Sequence, residues 1–276
     1  MPYNNIRSTP CIVIILHNLY ESMMKVRSEI MNPIDIMLDH KSIRQYKPMR
    51  VSPQHLSILL DVAKRTATSM GMQTFSIIRI VNPEIKAAIA EVCKQDYVKD
   101  MPELFVFVVD AYRNAQIMKE KGLDLDTASD ADRFFQGWTD ACLAAQNMVT
   151  AAELAGYGTV YLGSVLNDAE KIIEILKLPE LTFPVLGLGL GMADQKPALK
   201  PRMPREANVF DDAYSTFDNY HELLEDYDEE MNQYYDLRSP NYPLPKFTDQ
   251  VVGRLKLKDE KRSALIRIAE KQGFHF

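Results

Sequence analysis

The chain has 276 residues, 46% of them hydrophobic and 25% charged, with no biased tract; these are the proportions of a folded globular protein of one large or two small domains. A formal net charge of -6 argues against a general role on nucleic acid or an anionic membrane, while leaving local basic clusters free to hold a single phosphate. The three cysteines, Cys11, Cys93 and Cys142, lie far apart with no CxxC pair, which argues against a zinc site or disulfide framework and fits a reducing, cytoplasmic setting.

In chain order, the apolar run at residues 11–16 has no small-residue cleavage pattern after it and is far too short to cross a bilayer. Met23, Met24 and Met31 each offer an alternative start, and residues 1–30 are read as an N-terminal appendage without chemistry. Asn32-Pro33 is a helix-start signal, followed by Ile34, Met37 and Leu38 at helical spacing; Ser52-Pro53 repeats it before Leu56, Leu59, Leu60 and Ala63. Residues 76–81 read as a strand closed by Asn82-Pro83, with a helix from Pro83 to about Cys93. The continuous β-branched and aromatic run at 104–109 predicts a central strand buried on both faces. Charged residues 119–130 read as a surface connection.

The next helix, about 132–155, is rich in Ala, Met and Leu and apolar nearly all round, which predicts burial in a core or against a partner. Gly156-Tyr157-Gly158 ends it; a strand at 159–162, a helix at 169–177 and a strand at 184–190 follow. From Lys196 the prolines at 197, 201 and 204 mark an extended segment crossing the surface. An acidic helix over 220–235, a proline-rich loop over 239–245 and a basic amphipathic helix over 254–272 complete the chain. No internal repeat is visible. The pattern predicts a single α+β domain over 31–276, with a C-terminal excursion from about residue 205.

Gly187, Gly189 and Gly191 imitate a dinucleotide fingerprint, but they alternate within a strand and no helix follows. Close backbone packing inside a sheet is the better reading. The five histidines show no HxH or HxxxH spacing, so no metal site is predicted, and no cysteine sits beside a histidine. No G-x-S-x-G elbow is present either. The paired carboxylates Glu229-Glu230 fall on an acidic helix face open to solvent.

His40-Lys41-Ser42-Ile43-Arg44 gathers three cationic side chains and a hydroxyl into one short segment after an apolar helix. Such donors suit a phosphate monoester; on spacing alone, positive charge complementing a helix C-terminus is an equally good reading. Lys200-Pro201-Arg202 presents two more cations on a stiff backbone. The stretch from Arg65 to Gly71 joins helix to strand with hydroxyls at Thr66, Thr68 and Ser69, which either donate to a ligand or cap a helix.

Taken together these segments resemble the nitroreductase family, specifically its NAD(P)H–flavin oxidoreductases and oxygen-insensitive major nitroreductases. The matching motifs occur in family order from about Met31: His-Lys-Ser-Ile-Arg-Gln-Tyr at 40–46, Ala-Lys-Arg-Thr-Ala-Thr-Ser at 63–69, Gln95 with Tyr97, and Ala-Ala-Gln-Asn at 144–147. Val-Tyr-Leu-Gly-Ser at 160–164, Leu-Lys-Pro-Arg-Met-Pro at 199–204 and Glu-Lys-Gln-Gly-Phe at 270–274 complete the set.

The resemblance implies a three-layer α-β-α fold with a central mixed, mostly antiparallel sheet, in an intertwined homodimer with FMN at the subunit interface. It implies that His40, Lys41, Ser42 and Arg44, in a first helix turn, together with Lys200 and Arg202, bind the FMN phosphate and ribityl chain, some of that charge lying near the flavin N1–O2 edge. Thr68, Ser69, Gln95 and Tyr97 would meet polar edges of the flavin, and Tyr161, Leu162, Gly163 and Ser164 would line the ring near N5. The implied activity is a ping-pong transfer of hydride from NADPH or NADH to flavin N5 and on to a nitroaromatic, quinone or free flavin, with no catalytic residue beyond the flavin itself. A flavin-binding regulatory or storage protein without significant turnover is the alternative. Lys41 stands where the family has Arg, and Gly163-Ser164 where it has a glycine pair. Arg238 matches an arginine linked to the NADPH 2′-phosphate, but Asn241-Tyr242-Pro243 replaces the basic residues expected after it, which keeps NADH open as the donor.

Overall fold

The computed structural model describes residues 32–123, 126–238 and 241–276; the expectations for residues 1–30, including the apolar run at 11–16, lie outside them, as do residues 239–240 of the proline-rich loop. The chain divides into Met1–Asp39 and His40–Phe276. In the first unit the described residues form helix α1 (Pro33–Leu38), started by Asn32, whose side chain accepts the Ile34 N–H at 3.1 Å. None of its residues is buried; Ile34, Met37 and Leu38 are all exposed.

The second unit is built on a four-stranded antiparallel sheet. In chain order its elements are α2 (Pro53–Lys64), β1 (Phe75–Arg79), α3 (Pro83–Cys93), β2 (Glu103–Asp110), α4 (Tyr112–Glu120) and α5 (Ala131–Leu154). Then come β3 (Gly158–Leu162), α6 (Ala169–Leu176), β4 (Thr182–Gly191), α7 (Tyr220–Leu223), α8 (Glu225–Gln233), α9 (Phe247–Leu255), α10 (Glu260–Ser263) and α11 (Leu265–Lys271). The strand order is β1-β2-β4-β3, with Ile77 opposite Phe107 and Phe105 opposite Leu188. Outside these strands, Ser42 makes an isolated parallel bridge to Thr159, which lends the edge beyond β3 a mixed character.

The helix starts obey the capping signals. Ser52 accepts the His55 N–H at 3.2 Å, Asn82 that of Glu84 at 2.7 Å and Asp130 that of Arg133 at 2.9 Å, each cap contributing about 1 kcal/mol. Strand β2 is buried at every position and β4 at all but Leu186, so both faces of the sheet centre are covered. Helix α5 packs across all four strands, α2 lies against α5, and α6 with the turn at residues 163–168 packs on β4. The glycines of β4 serve close packing as expected: a side-chain carbon at Gly191 would meet Pro102 Cγ at 2.6 Å, and one at Gly187 would meet Leu162 Cβ at 3.0 Å.

Four expectations are corrected. Residues 40–44 are extended, not a helix turn; α1 has already ended at Leu38, and Ser42 and Ile43 run alongside β3. Helix α4 extends into the expected connection at residues 119–120, and its start carries no sequence signal, since only Ala115 is buried and no side chain caps it. The acidic helix breaks at Leu224, whose burial with Tyr227 and Met231 forms a small second cluster. The C-terminal helix is three pieces, since Asp259 caps a new start by accepting the Arg262 N–H at 3.1 Å. Within one chain helix α5 buries one face in the core, while Phe135, Leu143 and Leu154 on it are exposed. The chain ends in the main core, where Phe274 is fully buried with its ring 4.9 Å from that of Phe134. Among the described residues no helix is long and apolar enough to cross a membrane.

Candidate functional site

Residues 40–47 are held at the sheet edge by backbone bonds. The Ile43 N–H donates to the Thr159 carbonyl at 2.8 Å, and Tyr46 Oη donates to the Ile43 carbonyl at 2.5 Å. Gly158 permits this approach, since a Cβ there would lie 2.6 Å from Ile43 Cγ1. The same segment then pairs with the chain leaving β4: the Lys47 N–H donates to the Met192 carbonyl and the Asp194 N–H to the Gln45 carbonyl, both at 2.9 Å. That pairing sets the proline-stiffened residues 195–202 beside residues 40–44. A third wall follows α8, where Tyr234 Oη donates to the Ala198 carbonyl at 3.4 Å.

The three segments enclose a cavity of about 150 Å³ lined by His40, Lys41, Ser42, Arg44, Lys200, Arg202, Tyr234, Asp236 and Arg238 among others. Its charge is strongly unbalanced toward the positive. The only carboxylate lining it among the described residues, Asp236, accepts from Arg238 Nε at 2.9 Å and Nη2 at 2.7 Å, and from the Arg238 N–H at 2.9 Å. These bonds hold the Asp236 carboxyl down at about 2 against the opposing effect of burial. Lys200 is pushed below its ordinary value chiefly by burial; Asp236 opposes this, and Arg238, Arg202 and Arg44 add to it. Cations crowded together in this way favour an anion of more than one charge, the property of a phosphate monoester.

A hydrogen-bond chain leads away from this cavity. Tyr97 is pushed up by burial, with Arg44 and Arg238 pulling against that shift from nearby. Its hydroxyl donates to Gln95 Oε1 at 2.9 Å, and Ser164 Oγ donates to the same oxygen at 3.3 Å. Gln95, Gly163 and Ser164 line a larger groove, about 990 Å³, whose opposite wall is formed by α9, α10 and the chain between them. Gly163 faces open space, with nothing within 4 Å of where a Cβ would be. Arg262 of α10 donates to the Gly163 carbonyl at 3.0 Å and to Asn167 Oδ1 at 3.2 Å.

The structure thus brings His40, Lys41, Ser42, Arg44, Lys200, Arg202 and Arg238 together, and links them through Tyr97 and Gln95 to Gly163 and Ser164. Others stand apart. Tyr161 Oη donates to Gln146 Oε1 at 3.1 Å, and the Leu162 side chain is packed in the core, leaving only its backbone to face a ligand. Thr68 lines a separate hollow with Arg65 and Thr66. The Ser69 N–H is held by the buried Asp140, Oδ1 at 2.9 Å. Within one chain the hydroxyl loop does not join the rest of the site.

Asp236, Glu153, Asp140 and Arg262 were not anticipated from the sequence. Asp236 carries a faint signal, two positions before Arg238; the others reveal themselves only through contacts far apart in the chain.

A model of the nitroreductase family matches residues 37–192, and a model of that family's C-terminal domain matches residues 200–276. An NADPH-dependent oxidoreductase of Staphylococcus saprophyticus is 37% identical, covering 87% of this chain and 96% of its own. An oxygen-insensitive NADPH nitroreductase of Salmonella typhimurium is 33% identical, covering 87% and 97%. Among solved structures, the NADPH:FMN oxidoreductase of Vibrio harveyi, complexed with NAD+, superposes with a TM-score of 0.76 at 27% identity, covering 88% of this chain and 98% of its own.

Proposed function

The chain belongs to the nitroreductase family, and on that premise we propose that it is an FMN-dependent oxidoreductase that draws hydride from NADPH or NADH and reduces a small nitroaromatic, quinone or free flavin. The observation that carries this reading is the convergence of residues 40–44, 200–202 and 238 on one cation-lined cavity, joined through Tyr97 and Gln95 to a groove of about 990 Å³, within the ~300–1,000 Å³ typical of ligand sites. The donor set fits FMN: the small cavity suits a phosphate, and the open groove suits a flat ring.

When bound, FMN supplies the hydride-accepting and electron-passing chemistry. The chain's own part is to bind and orient. His40, Lys41, Ser42, Arg44, Lys200 and Arg202 would bind the phosphate, whose charge the cations among them neutralise, and the hydroxyls of the ribityl chain. Gln95, with Tyr97 behind it, and the Gly163–Ser164 backbone offer hydrogen-bonding groups to the ring, and Gly163 keeps the approach free of side chain. Those cations that reach the ring would stabilise the negative charge it gains on reduction. Donor and acceptor use the same groove in turn, which gives ping-pong kinetics. Arg238, already gripped by Asp236, is the candidate contact for a nucleotide phosphate.

We read the working unit as a homodimer, in which Thr68 and Ser69 serve the flavin of the second copy. Their separation from the cavity within one chain and the exposed Phe135, Leu143 and Leu154 on α5 support this. The test is direct. The purified protein should be yellow, elute as a dimer and bleach anaerobically within seconds of adding NADPH or NADH, with the faster nucleotide identifying the donor. A colourless protein that cannot be reconstituted with FMN defeats the proposal; a yellow one that neither nucleotide bleaches is a flavin store instead.

A further inference from the structure

Glu153, near the end of α5, stands behind the cation-lined cavity. Its Oε1 accepts from His40 Nδ1 at 2.8 Å and from the Thr159 hydroxyl at 2.5 Å. The Glu153 side chain is 13% exposed and that of His40 32%, so the carboxylate is the sheltered partner and the ring reaches toward the opening. Thr159 is itself buried on β3, and its carbonyl receives the Ile43 N–H. One strand position therefore anchors both the segment carrying His40 and the carboxylate that grips the ring.

A carboxylate only accepts hydrogen bonds, so a contact at Nδ1 places a proton on Nδ1. Nε2 is then the ring nitrogen left for the cavity, whose other charged groups are Lys41, Arg44, Lys200, Arg202, Arg238 and Asp236. His40 has a short side chain, and Glu153 clamps its ring from behind.

We propose that Glu153 is a positioning residue for the cofactor phosphate: by accepting Nδ1–H it holds the plane of the imidazolium form of His40, so that Nε2–H is directed at a phosphate oxygen. The proposal rests on the FMN reading above. Carboxylate partners of ligating histidines are worth about ten- to a hundredfold in the affinity of the bound group where that group is a metal, and the lower end is expected for a phosphate shared with several other cations. A purely structural Glu153, tying α5 to β3 through Thr159, would affect every ligand alike.

Flavin titration of the apoprotein separates the two roles, because riboflavin lacks the phosphate. Glu153→Ala should weaken FMN binding about tenfold and leave riboflavin binding unchanged, with Glu153→Gln retaining most of the affinity through its amide oxygen. His40→Ala should match Glu153→Ala, and the double variant should be no worse than His40→Ala alone. Equal losses for FMN and riboflavin, or losses that add in the double variant, overturn the proposal. Should Glu153→Ala fail to fold, nitrogen NMR of the imidazole in the FMN-bound wild-type protein decides: Nδ1 and Nε2 must both carry a proton, and a ring protonated on one nitrogen alone refutes the assignment. A wild-type protein binding FMN no better than riboflavin would instead defeat the phosphate reading, while the NMR result still judges the His40 geometry.

Discussion

Arg44, Lys200, Arg202 and Arg238 come from three separate stretches of the chain, yet Arg44, Arg202 and Arg238 all bear on the titration of Lys200 in the same cavity. The cations were legible in the sequence because basic residues in short conspicuous groups advertise themselves, and the resemblance set them in order. The carboxylates were not. Asp236 reads as one more acid after an acidic helix, and Glu153 as one more polar residue near a helix end; their meaning lies in Arg238 and His40, which only the fold supplies. The Asp236–Arg238 pair makes a prediction in pH. Its folded carboxyl sits at about 2 against an ordinary value of 3.8, so its stabilisation is present above about 4 and disappears as pH falls through about 2. Asp236→Asn should therefore unfold more easily than wild type near neutral pH, and the gap between their acid-unfolding curves should close over that interval. A gap that persists unchanged at about pH 2 would show that the carboxylate's charge is not what stabilises this turn.

At the scale of elements, the strands were foreseen because runs of β-branched and aromatic residues bounded by Asn-Pro or Gly pairs admit few other readings. Helix α4 was not, having neither a capping side chain nor more than one buried residue. The breaks at Leu224 and at residues 256–259 follow from tertiary packing and from Asp259, against an unbroken local pattern. Glycines offer a sharp test of which element surfaces are packed and which face a ligand. A Cβ at Gly137 on α5 would lie 2.5 Å from the Thr74 carbonyl oxygen and 2.8 Å from Val109 Cγ1. Alanine favours a helix over glycine by about 1 kcal/mol, but overpacking against unyielding backbone costs about 1–3 kcal/mol, so Gly137→Ala should lower the thermal midpoint. Gly163→Ala meets nothing in the protein and should unfold like wild type, yet bind FMN more weakly because its methyl occupies the groove. Unimpaired flavin binding by Gly163→Ala would remove that residue from the site.

The molecule as a whole carries a net charge of -6 while gathering five Lys and Arg side chains around one small cavity, so the attraction felt by a phosphate is local. Salt screens charges over about 8–10 Å at physiological strength, and the affinity for FMN should fall as potassium chloride is raised while that for riboflavin stays level. Matching salt responses for the two flavins would show that the cavity does not hold the phosphate. The order of its walls along the chain has a consequence for biosynthesis. The first wall leaves the ribosome at residues 40–44 and the last only after Tyr234, so a nascent chain possesses one wall of three for most of its synthesis. Full cofactor capture should therefore await translation of the final segment, and a chain truncated before it should purify colourless. Yellow colour in a cell extract thus doubles as a gauge of how many chains were finished.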